Sequence, residues 1–228
     1  MAIDAYTKLL LHCNGVDAST TFTDSELTPK TVTAYDNAQI DTAQSKFGGA
    51  SGFFDGTGDY LTVPDSDDWA FGTGDFTIDW WVRFVTTAVS HSFFSQKTDT
   101  NNRYILYFNN NTIYWSQLVG GSGGNNIAKA WTPSIDTWYH VALVKASGVY
   151  TFYIDGASIG SNTENTSIAN LTGNLEICRD TDSGSNFFNG WLDEIRISKG
   201  IARWTANFTP PTRAYGIGSG GGFLFNYL

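Results

Sequence analysis

The chain has 228 residues, a formal net charge of −9 and only 15% charged residues, against 24 glycines and 15% aromatics. That balance favours strands and turns over helices, and an acidic surface repels phosphate backbones, which argues against a nucleic-acid partner. Eight Trp, eleven Tyr and sixteen Phe exclude a disordered chain, and no apolar run approaches the ~18 residues of a bilayer span, so no membrane insertion is expected.

Near the N-terminus, Leu9-Leu10-Leu11 is the first apolar run. It is shorter than the ~7 residues of a signal-peptide core, and Asp4 spoils the positive flank, so no export signal is expected. Phe76, Ile78, Trp80, Val82 and Phe84 alternate with Thr77, Asp79, Trp81, Arg83 and Val85. Period two makes this a strand, and the mixed second set predicts partial cover on its other face. Tyr104–Phe108 and Thr112–Gln117 read as a hairpin around Asn109-Asn110-Asn111, because Asn tolerates positive φ.

Gly120 to Asn126 reads as a mobile loop; it lacks the Lys and following helix of a phosphate cradle. Trp138–Lys145 and Val149–Ile154 are strands, and Asp155-Gly156 marks a tight turn. Asn174–Cys178 is expected to pair with Phe187–Leu192 across a loop at 180–186. Short helical turns fit at Asp67–Trp69 and Gly200–Arg203, and no longer segment has helical period. Many short strands with turn signals between them predict an all-β sandwich. Cys13 and Cys178 are either two buried thiols or a matched pair.

The segments Lys46–Pro64, Phe71–Val82, Trp138–Ala142, Tyr153–Gly156 and Phe188–Ser198 resemble, in that order, the strand blocks of laminin-G-like, concanavalin A-like lectin jelly rolls. The ending Ser198–Pro211 is similar to variants common in bacteriophage virion proteins. The resemblance implies a jelly-roll β-sandwich of two antiparallel sheets over residues 1–215. Residues 216–228 are then a Gly-rich linker and a short apolar tail. It does not decide function, because the fold hosts lectins, adhesion modules, enzyme appendages and virion proteins.

Three chemistries can be weighed on these residues. The resemblance implies a structural Ca²⁺ between the loop after the first strand and the closing strand, with Asp17, Asp24 and Asp193 as candidate ligands. Leu192 and Ile195 are both core-like but three apart, which predicts a bulge that would re-aim Asp193. A glycan site needs flat aromatic surface with convergent polar groups. Tyr107, Tyr114, Trp115 and Trp131, with Asn101 and Arg103, offer that mixture, although aromatics also fill strand cores. For hydrolysis, Asp79 stands alone on its strand and the adjacent Asp193 and Glu194 point to different faces unless a bulge intervenes, so no glycosidase pair is apparent. His12, His91 and His140 have no triad or metal spacing, and the chain reads as non-enzymatic.

Absence of an export signal in a lectin-like chain fits release by lysis, as a phage capsid decoration, head fibre or tail adhesin. Phe223, Leu224, Phe225 and Tyr227 would then attach it to other virion proteins, or pack back on the domain. A homo-oligomer is expected in that setting. A stand-alone extracellular carbohydrate-binding lectin is the alternative.

Overall fold

The computed structural model describes residues 2–217. In chain order the strands are β1 (Ala2–Ile3), β2 (Thr7–Leu11), β3 (Thr33–Tyr35), β4 (Gln39–Asp41), β5 (Ser51–Asp55), β6 (Tyr60–Val63), β7 (Phe76–Phe84), β8 (His91–Asp99) and β9 (Asn102–Asn109). They continue as β10 (Thr112–Val119), β11 (Ser122–Ala130), β12 (Trp138–Ala146), β13 (Val149–Ile154), β14 (Ala157–Thr163), β15 (Leu175–Ile177), β16 (Asn189–Lys199) and β17 (Gly216–Ile217). The one helical element among the described residues is a 3₁₀ turn at Asp67–Trp69, capped by the Ser66 side chain. No helix of the described residues is long and apolar enough to cross a membrane.

Two antiparallel sheets stack face to face. One has seven strands in the order β11-β10-β9-β8-β15-β6-β3. The other runs β14-β13-β12-β7-β16-β5-β4, with β2 beside β16 as its eighth strand. This is the sandwich that the strand spacing predicts, in the jelly-roll form that the resemblance implies. The alternation in β7 is obeyed: Phe76, Ile78, Trp80, Val82 and Phe84 enter a core shared with Tyr104, Leu106, Phe108, Ile113 and Trp115 of the facing sheet. Asn110 and Asn111 have φ of 47° and 55°, and Asp155 and Gly156 have 48° and 77°, so both predicted hairpin turns form with the positive φ they require. At Gly156 a Cβ would lie 1.9 Å from the Phe208 carbonyl, so only glycine lets the C-terminal segment pass.

Three local expectations fail for identifiable reasons. Leu175–Ile177 and Asn189–Lys199 do not form a hairpin; β15 pairs with β6 and β8, and β16 lies in the other sheet. The loop between them crosses from one sheet to the other, a long-range connection that adjacency in sequence does not reveal. The glycine-rich stretch is not a loop. Only Gly120-Gly121 turns, and Gly123 and Gly124 belong to the edge strand β11. The stretch Gly200–Arg203 forms no helix.

The outer face of β7 is covered, as the mixed second set predicts. The segment 201–215 lies across it as a strap. The Thr77 hydroxyl accepts from the Arg203 amide (3.0 Å), and Trp204 stacks on Phe208 at 4.0 Å. Beneath the strap, Asp79 accepts from Arg196 Nε and Nη2 (2.9 and 3.2 Å) and from the Tyr215 hydroxyl (2.5 Å), all in a fully enclosed site. Gly216–Ile217 then pairs in parallel with Ala2–Ile3. Phe223, Leu224, Phe225 and Tyr227 lie outside the described residues.

Cys13 and Cys178 are separate buried thiols. Burial pushes both well above the ordinary thiol range. Both have positive φ, 53° and 72°. Glycine adopts such a backbone without strain, and a residue with a Cβ does so less readily.

Candidate functional site

Strands β8, β9 and β10 present a polar outer face on the seven-stranded sheet. In β9 the side chains of Tyr104, Leu106 and Phe108 go inward, so Arg103, Ile105, Tyr107 and Asn109 face out. Their register partners on β10 follow: Tyr114 lies opposite Tyr107, and Ser116 opposite Ile105. The loop 180–186 rises beside this face and closes a groove of about 290 Å³ lined by Arg103, Tyr107, Asn109, Ser116, Asp180, Asp182 and Asn186 among others.

The wall is held by its own polar groups. Ser95 Oγ donates to the Arg179 carbonyl (2.7 Å) and accepts from the Thr181 amide (3.0 Å), which ties the loop to β8. Asp180 accepts from the Asp182 amide (2.9 Å), the Ser183 hydroxyl (2.7 Å) and Asn186 Nδ2 (3.3 Å). Asp182 pairs with Arg103 at 2.9 Å across the groove. The Tyr107 and Tyr114 rings stack at 4.6 Å with planes 6° apart. The Tyr107 hydroxyl donates to Asn125 Oδ1 (3.3 Å) on β11. Partial burial raises the Tyr107 phenol above its ordinary pKa, so it stays a neutral donor. The result is an aromatic edge, a neutralised cation–carboxylate pair and several amide and hydroxyl groups in one trough. That combination suits a polyhydroxylated ligand.

The sequence-selected aromatics divide between the two faces of the sheet. Tyr107 lines the groove and Tyr114 buttresses it. Trp115 and Trp131 do not reach it: Trp115 is 0% exposed between Phe76 and Tyr104, and Trp131 packs on Phe84 and Phe108. Period two dictates this, because Trp115 is one residue from Tyr114 and must point the other way. Arg103 is in the groove. Asn101 instead builds a turn; its amide donates to Asp99 and its carbonyl accepts from Gly121. Asp180, Asp182 and Asn186 have the appearance of an ordinary turn in sequence, and only the crossing of the chain between sheets brings them over Arg103.

The three carboxylates selected for Ca²⁺ are not gathered. Asp17 is at the surface, accepting from the amide and hydroxyl of Thr42. Asp24 is wrapped by the amides of Leu10, Glu26 and Lys30. Asp193 Oδ2 accepts from the amides of Lys46 and Phe47 (2.9 and 3.0 Å), and its Oδ1 has no hydrogen-bond partner among the described residues. Among the described residues no group of three His, Cys, Asp or Glu side chains could hold a metal. Asp17, Asp24 and Asp193 therefore do not form one carboxylate cluster among the described residues. The predicted bulge is present, with the register of β16 shifting between Asp193 and Arg196 and Glu194 at φ 50°. It turns Glu194 toward His12 (2.7 Å) and the Tyr215 amide (2.7 Å).

Burial pushes the Asp193 carboxyl up to about 7, with the neighbouring Glu194 charge adding to it. A carboxyl raised in the folded state favours folding below its unfolded pKa of about 4, and that stability is lost as pH rises through about 7. Asp193→Asn keeps an acceptor for both amides and removes the buried charge. It is expected to be the more stable protein at about pH 8, by about 2 kcal/mol, with little difference at about pH 4. Urea unfolding at the two pH values measures this.

Residues 55–203 match the family model described as the concanavalin A-like lectin/glucanases superfamily, of laminin-G type. The chain belongs to this superfamily. The likeness extends to solved structures of low identity. The binding domain of Paraclostridial Mosquitocidal Protein 1 superposes with a TM-score of 0.66 at 17% identity, over 86% of this lectin-like chain and 49% of that one. The botulinum neurotoxin serotype G binding domain gives 0.64 at 15% identity, over 85% and 48%. Domain 4 of AbnA, a GH43 extracellular arabinanase from Geobacillus stearothermophilus solved with arabinotriose, gives 0.66 at 18% identity, over 86% and 93%. The concanavalin A-like chain thus spans about half the length of the toxin binding domains and nearly all of the arabinanase domain. No curated protein sequence matches it.

Proposed function

We propose that this protein is a non-enzymatic, glycan-binding lectin module whose site is the groove over β9 and β10. The observation that carries the reading is the Tyr107 edge set beside the Arg103–Asp182 pair in a polar trough. Asp180 shapes the loop and Asp182 Oδ2 pairs with Arg103, which leaves a polar trough suited to holding a ligand. The named relatives support it in kind: two are binding domains, and the third is a domain solved with arabinotriose. A glycan array probed with the purified protein tests the reading. Binding is expected in EDTA as well as in Ca²⁺, and Tyr107→Ala should weaken it roughly thirtyfold, the loss of about 2 kcal/mol typical of a central aromatic anchor. A folded protein that binds nothing on the array overturns it.

A second level of function rests on where the strap lies. Tyr215 is fixed on the outer face of the eight-stranded sheet and the groove on the outer face of the seven-stranded one. A partner holding the C-terminal tail therefore leaves the groove facing away from it. This favours display on a particle, as a phage capsid decoration, head fibre or tail adhesin attached through Phe223, Leu224, Phe225 and Tyr227. Removal of residues 218–228 is expected to abolish incorporation into particles and to leave thermal stability unchanged. Normal incorporation of the truncated chain refutes the attachment role.

A further inference from the structure

A second concavity, of about 590 Å³, lies where the edge strands of the two sheets meet, between β11 and β14. Gln117, Asn125, Asn126, Thr163, Glu164 and Thr166 contribute to its lining. Gln117 is 1% exposed. Its Nε2 donates to the Thr166 carbonyl at 3.3 Å. Its Oε1 has no hydrogen-bond partner among the described residues, and neither does the buried Oδ1 of Asn126. Unmet buried acceptors of this kind destabilise the fold, and a ligand that donates to them recovers that cost. Glu164 adds a carboxylate held below its ordinary pKa first by the Thr166 hydroxyl and then by the Thr166 amide.

The backbone at the mouth of this pocket is bare. Gly123 and Gly124 have φ of 128° and 153°; a Cβ on Gly123 would lie 2.3 Å from the Gln117 carbonyl, whereas one on Gly124 would meet nothing within 4 Å. Glycine in a strand interior weakens it and marks a place where another group approaches the backbone closely. The lining contains no Lys, Arg or His. The nearby Lys129 ammonium is already bonded to the Ser161 carbonyl and to Asn162 Oδ1 (both 3.1 Å), so the pocket's acceptors and the Glu164 carboxylate favour a non-anionic, donor-rich ligand.

The two concavities open on opposite faces of the sheet, Ser116 facing the groove and Gln117 the inner side, and they adjoin only at the edge strand β11. Tyr107 lines the groove, Asn125 lines the edge pocket, and the Tyr107 hydroxyl donates to Asn125. From β9 to β11 is two strand spacings, about 10 Å, and β11 is the edge of its sheet, so a ligand longer than one sugar ring can pass from the groove around that edge into the pocket. We infer that the edge pocket is a second saccharide subsite, taking a non-anionic sugar residue of an oligosaccharide whose neighbouring residues lie over Tyr107. This inference rests on the groove being a glycan site.

The test uses an array of neutral oligosaccharides graded from disaccharide to hexasaccharide, with matched chains capped by a uronic acid. Wild-type protein is expected to bind longer neutral chains at least tenfold more tightly than disaccharides, and to lose that gain with the acidic cap. Thr163→Trp fills the pocket from an exposed edge position, and Gln117→Met removes the orphan acceptor. Each should abolish the gain with length and leave disaccharide binding unchanged, whereas Tyr107→Ala weakens every length. Should both pocket variants keep the full gain, the edge subsite is wrong and the groove reading stands. Should the folded wild type bind no chain of any length, the groove reading falls and the subsite with it.

Discussion

Asp79→Ala is expected to lower the stability of the domain by about 3–5 kcal/mol, the usual cost of stripping one partner from a buried ion pair. Asp79 and Arg196 are 0% and 1% exposed, and the guanidinium lies 3.8 Å from the Tyr215 ring centre. Removing the carboxylate takes away the acceptor of two Arg196 hydrogen bonds and the shorter of the two contacts of the Tyr215 hydroxyl. Replacing both members, as Asp79→Leu with Arg196→Met, should recover much of the loss but not all, because the Tyr215 hydroxyl keeps only its longer contact to His140 Nε2 (3.4 Å). Denaturant unfolding of the two single variants and the double variant measures this coupling. The strap supplies an independent readout: cleavage between residues 205 and 215 should accelerate in Asp79→Ala under native conditions, since the Asp79–Tyr215 bond helps fix its end.

The same carboxylate sets the acid limit of the fold. Burial alone would raise its pKa, but the Arg196 guanidinium, with His140 beside it, holds it down at about 2. A carboxyl depressed in the folded state contributes stability that is present above its unfolded pKa of about 4 and lost as pH falls through about 2. Asp193 acts in the opposite sense, weakening the fold as pH rises toward 7. The two groups sit on neighbouring strands of one sheet and bracket the pH range in which the domain is most stable.

Much of this fold is legible in short-range pattern, and the exceptions share one cause. Alternation in Phe76–Phe84 identifies a core strand because each side chain's face follows from its parity alone. Asn110-Asn111 and Asp155-Gly156 identify turns because their φ preference is local. The bulge at Asp193 is readable because Leu192 and Ile195 break that parity. Pairing of Leu175–Ile177 is not readable, since its neighbours β6 and β8 lie far away in sequence. The same holds for the groove. Arg103 and Tyr107 can be selected by residue type, but Asp182 reaches Arg103 only because the chain changes sheets at 180–186. Carboxylates selected for Ca²⁺ scatter for a related reason. Asp17, Asp24 and Asp193 each satisfy backbone amides of separate loops, a use of Asp that composition cannot distinguish from metal ligation.

Trp115 and Tyr114 give the sharpest test of how β10 is oriented, since they are adjacent and face opposite ways. Trp115→Ala should cost about 3–5 kcal/mol, because it opens a cavity between Phe76 (5.7 Å), Tyr104 (4.9 Å) and Tyr150 (6.5 Å). Any loss of glycan binding in that variant should track the unfolded fraction and vanish when a bound ligand or low temperature restores the fold. Tyr114→Ala should do the reverse. Its ring is on the outer face, so stability falls by about 1 kcal/mol, the worth of one aromatic stack. The unsupported Tyr107 ring then swings freely in the groove, and binding weakens about tenfold in a protein that remains fully folded. Thermal melts and glycan titrations on the same two samples separate the cases. A Trp115→Ala protein that melts like wild type yet fails to bind would mean that the inner and outer faces of β10 are assigned the wrong way round, and the groove would have to be sought between the sheets.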